Sequence, residues 1–351
     1  MAQFNIQMNK ILKDSKKDSS KEETFQVLMV GGRRGGMIRL LDCMDKCCRS
    51  RLAGIEQLSI AHGFDTLTNK ELMEYHKRME NLLIDDAHPS PMHTSYDFNI
   101  DINDKELGNL KFTDIPGEWL DNPAHAGEMQ DAMNRSQVII IAIDTPHLAE
   151  EADPALGYGK YHTEFNRVSE ITAFLKKTFQ NCNEHRLVIF VPLKCEKYYY
   201  QNDTNPDKPG MPMVNDMVKK GYRELIDFLT ESDIKELCTC AIMPVLTQGV
   251  GEFFEFEEKD SADLSSYVPS PVPHKFGPQY CEQPLLLTLQ YVIAMTKIRN
   301  SKHKITACFN QTFGNQAKPD LLNGCESTIK SLIMTDAKLG YEILNDSLQM
   351  L

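Results

Sequence analysis

The sequence predicts a three-layer α/β fold, in which a mostly parallel sheet with one antiparallel edge strand lies between two layers of helices. Continuous apolar runs of strand length alternate with helical stretches, as is typical of parallel strands that are buried on both faces. The first such run passes through a glycine-rich loop into a helix. Beyond residue 300 the sequence becomes polar and keeps only helical periodicity, which predicts a helical C-terminal extension.

The first predicted strand and the first predicted helix flank the glycine-rich loop. Residues 25–30 form a short apolar run rich in residues that favour strands, and two glycines follow it directly. Residues 37–44 place apolar side chains at helical spacing, with no helix breaker among them. Strand, loop and helix therefore follow one another without interruption.

An antiparallel hairpin and two central strands come next. Residues 96–102 alternate between apolar and polar side chains, and residues 107–113 follow them across a polar, turn-like segment. Residues 138–143 and 186–191 are continuous apolar runs, as expected of strands covered on both faces. The hairpin is expected to supply the antiparallel edge of the sheet.

The remaining segments continue the alternation of helices and strands. Helices are predicted for residues 50–86, 162–179, 213–229, 284–298 and 328–351, a strand for 238–246 and a proline-rich loop for 251–284. We divide the chain into a flexible polar arm (residues 1–24), one α/β domain (residues 25–300) and a helical C-terminal appendage (residues 301–351).

Composition narrows the classes of function. The chain has 351 residues, with 41% hydrophobic and 25% charged, which is ordinary for a globular protein. No run of 18 apolar residues and no signal-peptide pattern occurs, so we expect a cytoplasmic protein that does not enter a membrane. The net charge of −12 argues against a nucleic-acid partner, because phosphate neutralisation needs an excess of Lys and Arg. The ten cysteines lack paired zinc-ligand spacing and are expected to be reduced thiols.

The glycine-rich loop has the spacing G-x-x-x-x-G-K-[ST] of a phosphate-binding loop. In such loops backbone N–H groups cradle phosphate, the lysine reaches the outer phosphates and the hydroxyl binds magnesium. The candidate ligand-contacting residues are Gly31, Gly32, Arg33, Arg34, Gly35, Gly36, Met37 and Ile38. Met37 stands where the lysine belongs, and Ile38 stands where serine or threonine belongs. Only the backbone part of this chemistry is retained, and a plain tight turn remains an alternative.

Two further motifs follow predicted strands. Asp114 and Gly117 form a D-x-x-G pattern, in which the carboxylate can hold a magnesium ion through water and the glycine N–H can meet a terminal phosphate. Lys194 and Glu196 lie where the guanine-reading motif N-K-x-D is expected, with glutamate in place of aspartate. A carboxylate there can accept hydrogen bonds from guanine while the lysine stem packs on the base. Leu193 replaces the asparagine of that motif.

The ordered set GGRRGG, DIPGEW, VPLKCEKY and PVLTQG resembles the TRAFAC branch of P-loop GTPases across residues 25–300. Within that branch, PGEW, VPLKCEKY and FGPQYCEQPLL resemble a bacterial double-GTPase-like group found with conflict and defence systems. The resemblance implies GTP or GDP as the ligand and a protein partner in a larger system. It also implies that the backbone of Thr247 and Gln248 meets the guanine carbonyl oxygen. It further implies that Thr94 lies roughly where these GTPases carry the switch threonine that binds magnesium, with an ordinary polar loop residue as the alternative.

The departures from this pattern bear on catalysis. Met37 removes a positive charge beside the phosphates and Ile38 cannot bind magnesium, so a magnesium cofactor is not expected to be held well. Glu118 stands where Ras-like enzymes carry the glutamine that orients the attacking water, and its charge would repel a γ-phosphate. Arg33, Arg34 or Arg39 are candidates for substitute charge.

These residues support three hypotheses. The chain is interpreted as a pseudo-GTPase that binds nucleotide weakly and acts through a protein partner. One alternative is an active GTPase, a nucleoside triphosphatase whose catalytic charge comes from a non-standard residue or from a partner. The other is an assembly subunit that retains the scaffold and docks through its tail.

Overall fold

The structure, a computed structural model, describes residues 24–32, 36–52, 58–62, 94–102, 105–180, 182–199, 211–231, 233–247, 251–256, 265–269, 278–307, 319–333 and 341–347. The strands in these residues are β1 (Thr24–Gly31), β2 (Leu58–His62), β3 (Thr94–Ile102), β4 (Lys105–Asp114), β5 (Val138–Asp144), β6 (Ala152–Asp153), β7 (Tyr158–Gly159), β8 (Arg186–Leu193), β9 (Cys238–Ile242), β10 (Gly251–Phe256), β11 (Ser265–Pro269) and β12 (Glu342–Asn345). The α-helices are α1 (Met37–Leu52), α2 (Ala126–Arg135), α3 (Thr145–Ala149), α4 (His162–Phe165), α5 (Val168–Gln180), α6 (Met211–Gly221), α7 (Arg223–Glu231), α8 (Glu282–Ala307) and α9 (Pro319–Leu332).

Eight strands form one sheet in the order β12-β9-β8-β5-β1-β4-β3-β2. Strands β9, β8, β5, β1 and β4 run parallel, whereas β3 is antiparallel to β4 and β2 is antiparallel to β3. The predicted α/β architecture is confirmed, together with the hairpin at residues 96–113. The other edge carries a second antiparallel strand, because β12 pairs antiparallel with β9.

Consecutive residues of β1 show why the sheet is covered on both faces. Val27 and Met29 belong to one buried apolar cluster, and Leu28 and Val30 belong to a second. Side chains of a strand alternate between faces, so each cluster fills one side of the sheet. Helices α1, α8 and α9 contribute to the first cluster, and α2, α5, α6 and α7 contribute to the second. Each fully buried aliphatic side chain contributes about 1.5–3 kcal/mol, so both layers stabilise the sheet.

A buried arginine fixes the end of α2 against the sheet. Arg186, the first residue of β8, donates from its guanidinium to the carbonyl oxygens of Met133 at 3.1 Å and Asn134 at 2.7 Å, and also to that of Ser136. The last carbonyl groups of a helix have no partners within the helix and carry partial negative charge. Arg186 therefore supplies hydrogen-bond donors to the last carbonyl groups of α2. All three of these acceptors are backbone carbonyl oxygens, and none is a carboxylate.

Some predicted elements differ in the structure. The segment 58–62, predicted helical, is an edge strand. The predicted loop 251–284 contains the antiparallel hairpin β10–β11 and the beginning of α8. The predicted helix 162–179 is interrupted at Arg167, whose φ of 53° lies in the left-handed region and cannot continue a helix. The helix predicted at 69–86 lies outside the described residues.

The segment after residue 300 is integrated into the fold. Its α9 buries Leu322, Cys325 and Ile329 in the first apolar cluster, and β12 extends the sheet. Ser347 then hydrogen-bonds with His185 before β8, at 2.7 Å between Oγ and Nε2. The predicted helix is present, but it begins at 319 and is followed by a strand rather than continuing. The predicted polar arm lies outside the described residues except for Thr24.

Among the described helices, none combines the length and the apolar character that a membrane span requires.

Candidate functional site

The candidate site lies at the edge of the sheet where the parallel strands end. Strand β1 ends at Gly31, β4 at Asp114, β5 at Asp144 and β8 at Leu193. Because carboxyl ends of parallel strands meet at one edge, the glycine-rich loop and the later motifs come together there. Three of the predicted motif regions, after β1, β4 and β8, therefore share one edge of the sheet with the end of β5.

Three glycines of the loop are required by close contacts or by backbone conformation. A Cβ atom on Gly31 would lie 2.6 Å from the carbonyl oxygen of Ala142, and one on Gly32 would lie 1.7 Å from that of Phe165. Gly36 has a φ of 83°, which favours glycine. A tight turn between strand and helix is therefore sufficient to explain why these three positions are glycine. Arg33, Arg34 and Gly35 lie outside the described residues.

The two residues after the loop carry no charge or hydroxyl into the site. Helix α1 begins at Met37, and the N–H of Leu40 donates to the carbonyl oxygen of Gly36 at 2.8 Å. The Met37 side chain is only 8% exposed and packs in the first apolar cluster. Ile38 is half-buried. The position of the phosphate-binding lysine is therefore used for core packing.

Asp114 is a buried carboxyl group at the end of β4. It lies beside Met29 of β1 and opposite Thr94 of β3 in the strand register. Its side chain is 3% exposed, and its Oδ1 atom accepts no hydrogen bond from the part of the chain that the structure describes. Burial raises the pKa of Asp114 to about 7. The backbone of Thr94 therefore lies next to that of Asp114, and the Thr94 side chain is outside the described part of the chain.

The segment after Asp114 forms a short 3-10 turn. Gly117 is buried in this turn, and Glu118 next to it is half-buried. Trp119 stacks on His125 with ring centroids 4.1 Å apart. The predicted phosphate-contacting glycine and the predicted water-orienting position therefore both lie close after the end of β4.

Lys194 is held by a carboxylate that the motif analysis did not identify. Its Nζ lies 2.9 Å from Oδ2 of Asp144, and the two side chains are 4% and 9% exposed. The Nδ1 atom of His147 lies 2.8 Å from the other oxygen, Oδ1. Burial alone would raise the pKa of Asp144, but Lys194 and His147 outweigh it and hold this pKa well below its ordinary value. Asp144 is therefore ionised, and the lysine amine is engaged within the protein.

The stem of Lys194 also reaches the glycine-rich loop. A Cβ atom on Gly36 would lie 3.8 Å from Cε of Lys194 and 3.6 Å from Cδ1 of Leu193. Lys194 itself has a φ of 60°, an uncommon left-handed conformation for a residue with a side chain. The loop and the candidate base-reading segment therefore pack directly against each other.

The other candidate base-reading residues are buried. Glu196 is 1% exposed and Thr247 is 2% exposed. The backbone N–H of Lys194 donates to the hydroxyl of Thr247 at 3.2 Å, and Nε of Arg39 donates to the carbonyl oxygen of Thr247 at 2.6 Å. Arg39 is thus directed to the base side of the site rather than to the phosphate side. Gln248 lies outside the described residues.

A polar residue that sequence reasoning missed joins the end of β5 to the α4 segment. The Asn166 side chain accepts from the N–H of Asp144 at 2.7 Å and donates to its carbonyl oxygen at 3.2 Å. The neighbouring Arg167 pairs with Asp121, beyond the 3-10 turn, at 2.8 Å. The segment between α4 and α5 therefore contacts the loop, the end of β5 and the segment that follows Gly117.

Aromatic side chains cover the Asp144 network. The His147 ring stacks on Phe165 at 4.5 Å between centroids and contacts Phe256 of the β10–β11 hairpin at 4.8 Å. Nζ of Lys197 lies 5.1 Å from the ring centre of Phe253 in the same hairpin. The hairpin therefore packs against His147, the histidine that contacts the Asp144 carboxylate.

The donor set does not fit a magnesium ion. Magnesium prefers near-octahedral coordination by oxygen atoms, and Ile38 offers only hydrocarbon at the predicted ligand position. Burial raises the pKa of Asp114 to about 7, which favours the protonated carboxyl group over the carboxylate that binds a cation. Among the described side chains, no group of three or more His, Cys, Asp or Glu residues is arranged to hold a metal ion.

Comparisons with known proteins give a distant structural likeness. No protein-family model matches the sequence, and no curated protein matches it. The chain is similar to the GTPase-like domain of Saccharomyces cerevisiae Ski7, a structure bound to GDP and inorganic phosphate, with a TM-score of 0.33 and 14% identity. The match covers 65% of this chain and 44% of that chain. Because this likeness is weak, the fold assignment here depends on the strand order and on the position of the glycine-rich loop.

Proposed function

We propose that this protein is a degenerate GTPase-like subunit that binds guanine nucleotide weakly, without a tightly held magnesium ion, and acts by contacting a protein partner. One observation carries the proposal. Lys194, Thr247 and Gly36 pack together at the edge where the parallel strands end, whereas the residue next to Gly36 is Met37, buried in the core. In this proposal the base side of a nucleotide site is retained, and the phosphate side has lost its lysine.

The charges around the loop support weak binding. The amine of Lys194 is neutralised by Asp144, and the guanidinium of Arg39 contacts the backbone of Thr247. Asp114 adds a buried carboxyl group instead of a cation. Nucleotide triphosphates carry strong negative charge, so their binding normally depends on cations and on magnesium. Backbone N–H groups at the start of α1 remain as the phosphate-binding element of the proposal.

The same loss argues against efficient hydrolysis. Phosphoryl transfer in GTPases relies on positioning and on electrostatic stabilisation of the transition state. Glu118 adds negative charge beside Gly117, where a neutral side chain would be needed to orient water. We therefore assign the output to a protein partner, in keeping with the resemblance to subunits of bacterial multi-protein defence systems.

The alternative is an active GTPase whose missing charge is supplied by a partner or by a non-standard arginine. Arg33 and Arg34 belong to the loop itself, and an arginine fork can bind phosphate bidentately. This alternative predicts phosphate release that depends on the partner or on these two residues. Replacing both with alanine would then abolish turnover without unfolding the chain.

Nucleotide titration tests the proposal. The purified chain is titrated with fluorescent GTP, GDP and ATP analogues, each with and without Mg²⁺. We expect weak binding of the two guanine nucleotides, with an affinity that Mg²⁺ changes by less than about threefold, because the described residues assemble no set of magnesium ligands. Absence of binding by all three analogues would remove the nucleotide part of the proposal, and strong Mg²⁺-dependent binding would favour the alternative.

Two pairs of variants locate the binding. Lys194→Met, titrated under conditions in which circular dichroism shows that it is folded, is expected to reduce guanine-nucleotide binding. Lys235→Met, at an exposed position remote from the site, is the matched control. The double variant Met37→Lys/Ile38→Ser restores the missing groups and is expected to strengthen binding at least tenfold. Met37→Leu/Ile38→Val, which changes the same positions without adding charge, should bind as the wild type does.

Partner binding is tested separately. The tagged chain is cross-linked in the presence of GDP, of a GTP analogue or of no nucleotide, and the cross-linked proteins are identified by mass spectrometry. A partner that joins or leaves with the nucleotide supports the proposed switch role. A set of partners that is identical in all three conditions, with nucleotide binding present, would leave a nucleotide-independent assembly role instead.

A further inference from the structure

Three cysteine thiols lie close together near Leu246 and Thr247, on the face of the sheet that α1 and α8 cover. Cys43 and Cys47 lie one turn apart on α1, and Cys281 directly precedes α8. The Cys281 thiol is within hydrogen-bonding range of both other thiols. All described cysteines are reduced, and these three do not form a metal site.

Backbone carbonyl groups locate the same cluster independently. Cys43 Sγ lies 3.8 Å from the carbonyl oxygen of Thr247, and Cys281 Sγ lies 3.3 Å from that of Leu246. Cys47 Sγ lies 3.6 Å from the carbonyl oxygen of Pro278, and Cys281 Sγ lies 3.6 Å from that of Gln279. These carbonyl oxygens belong to residues 246–247 and 278–279, so two short neighbouring segments hold the three thiols close together.

The cluster joins three parts of the molecule. Helix α1 starts at the glycine-rich loop, and Leu246 immediately precedes Thr247 of the candidate base-side segment. Leu246 and Gln279 exchange two backbone hydrogen bonds of 3.0 Å. Tyr280, with a φ of 64°, contacts Tyr199 through a hydroxyl pair 2.8 Å apart. A disulfide within the cluster would therefore link α1 covalently to residues 278–281. These residues contact Leu246, which precedes Thr247, and Tyr199, which lies a few residues after Lys194.

The three thiols differ in their access to solvent. Cys281 is fully buried and Cys43 is 4% exposed, whereas Cys47 is half-buried. Burial, together with contacts to Cys43 and Cys47, raises the pKa of the Cys281 thiol well above its ordinary value. Oxidants react with the accessible thiolate, so Cys47 is the residue that an oxidant meets first.

We propose that Cys47 and Cys281 form a reversible disulfide when the protein meets a peroxide. The peroxide oxidises the Cys47 thiol to a sulfenic acid and is itself reduced, with hydrogen peroxide releasing one water. The sulfur of Cys281 then attacks the sulfenic sulfur, the S–S bond forms, and the hydroxyl group leaves with the Cys281 proton as a second water. Two thiols and one hydrogen peroxide thus give one disulfide and two waters. The inference does not depend on nucleotide binding.

Peptide mapping of the full chain tests the proposal directly. The folded protein is treated with stoichiometric hydrogen peroxide, free thiols are alkylated, and tandem mass spectrometry distinguishes Cys47 from its neighbour Cys48. We expect the Cys47–Cys281 cross-linked peptide, which disappears on treatment with dithiothreitol. Absence of a cross-link, or a cross-link at Cys43 or Cys48 instead, would overturn the proposal.

Thermal unfolding gives a second measurement. The oxidised wild type is expected to melt about 5 °C above the reduced protein, because the cross-link restricts the unfolded chain. Cys47→Ser should lose both the cross-link and this shift. Cys325→Ala, in the same apolar cluster but on α9, is the matched control and should keep both. An equal oxidative shift in Cys47→Ser would contradict the assignment, and the wild-type peptide map remains decisive if a variant does not fold.

Discussion

Lys194 Nζ and Asp144 Oδ2 form an ion pair 2.9 Å apart that solvent barely reaches. Asp144 is the last residue of β5, and Lys194 directly follows the adjacent parallel strand β8. The stem of Lys194 also lies against Gly36 of the glycine-rich loop. His147 binds the second oxygen of the carboxylate. The pair therefore decides both the shape of the candidate site and the charge that is available to a ligand.

Removing one charged residue of this ion pair is expected to destabilise the fold strongly. Lys194→Met leaves the Asp144 carboxylate buried without its main cation, which typically costs about 3–5 kcal/mol. The surface pair of Lys176 and Glu224, which is 2.7 Å apart and has side chains 33% and 76% exposed, is the matched control. Lys176→Met should cost less than about 1 kcal/mol. Urea unfolding measures both free energies.

A double variant separates the loss of pairing from the loss of a lysine. Asp144→Asn combined with Lys194→Met removes both buried charges, so it should recover much of the stability lost in Lys194→Met. If the double variant were as unstable as the sum of the two single variants, the two residues would act independently. That result would contradict the pairing described here.

Asp114 makes the stability of the protein depend on pH in an unusual direction. Its pKa rises from 3.8 in the unfolded chain to about 7 in the folded protein. The unfolded chain therefore releases this proton first, and the contribution of Asp114 to stability falls as pH rises from about 4 to about 7. Asp114→Asn should stabilise the protein by on the order of 3 kcal/mol at pH 8 and by much less at pH 4.5. Unfolding free energies measured across this range test the prediction, and a benefit independent of pH would contradict it.

The central strands could be predicted from the sequence because each is a continuous apolar run bounded by residues that interrupt regular structure. Strands β5 and β8 are buried along their whole length, and their boundaries follow the apolar runs at 138–143 and 186–191. The edge strands β2 and β12 were missed, because short strands covered on fewer sides lack such runs. The hairpin β10–β11 was missed because proline and acidic residues surround it.

Only part of the candidate site could be predicted from the sequence. The glycines and Lys194 were identified by motif spacing, since a loop and a single lysine keep their positions relative to the strand ends. Asp144 carried one signal, a charged residue closing an apolar strand, but no motif marks it as the partner of Lys194. Asn166 and Phe256 act on the site from segments distant in the sequence, and contacts of this kind follow from tertiary packing alone.

His185 makes the protein sensitive to acid. It is buried at the opposite edge of the sheet, between Ser347 and Thr239, and burial lowers its pKa from 6.5 to about 4. The unfolded chain gains a proton on this residue below about pH 6.5 while the folded protein does not, so stability is lost as pH falls from 6.5 toward 4. At pH 5 the loss is about 2 kcal/mol.

Replacing the imidazole tests this origin of acid sensitivity. His185→Gln keeps a hydrogen-bonding side chain without a titrating ring, so its stability should fall less steeply between pH 7 and pH 5. Identical slopes in the wild type and in His185→Gln would assign the acid sensitivity to other groups.

Two glycines with opposite surroundings test the contact between the loop and the α4 segment. A Cβ atom on Gly32 would lie 1.7 Å from the Phe165 carbonyl oxygen, so Gly32→Ala must displace backbone and is expected to cost about 3 kcal/mol or more. A Cβ atom on Gly127 in α2 would meet nothing within 4 Å, and alanine favours helix. Gly127→Ala should therefore raise stability by about 0.5 kcal/mol. Thermal unfolding compares the two variants, and a Gly32→Ala protein as stable as the wild type would show that Phe165 does not lie against the loop.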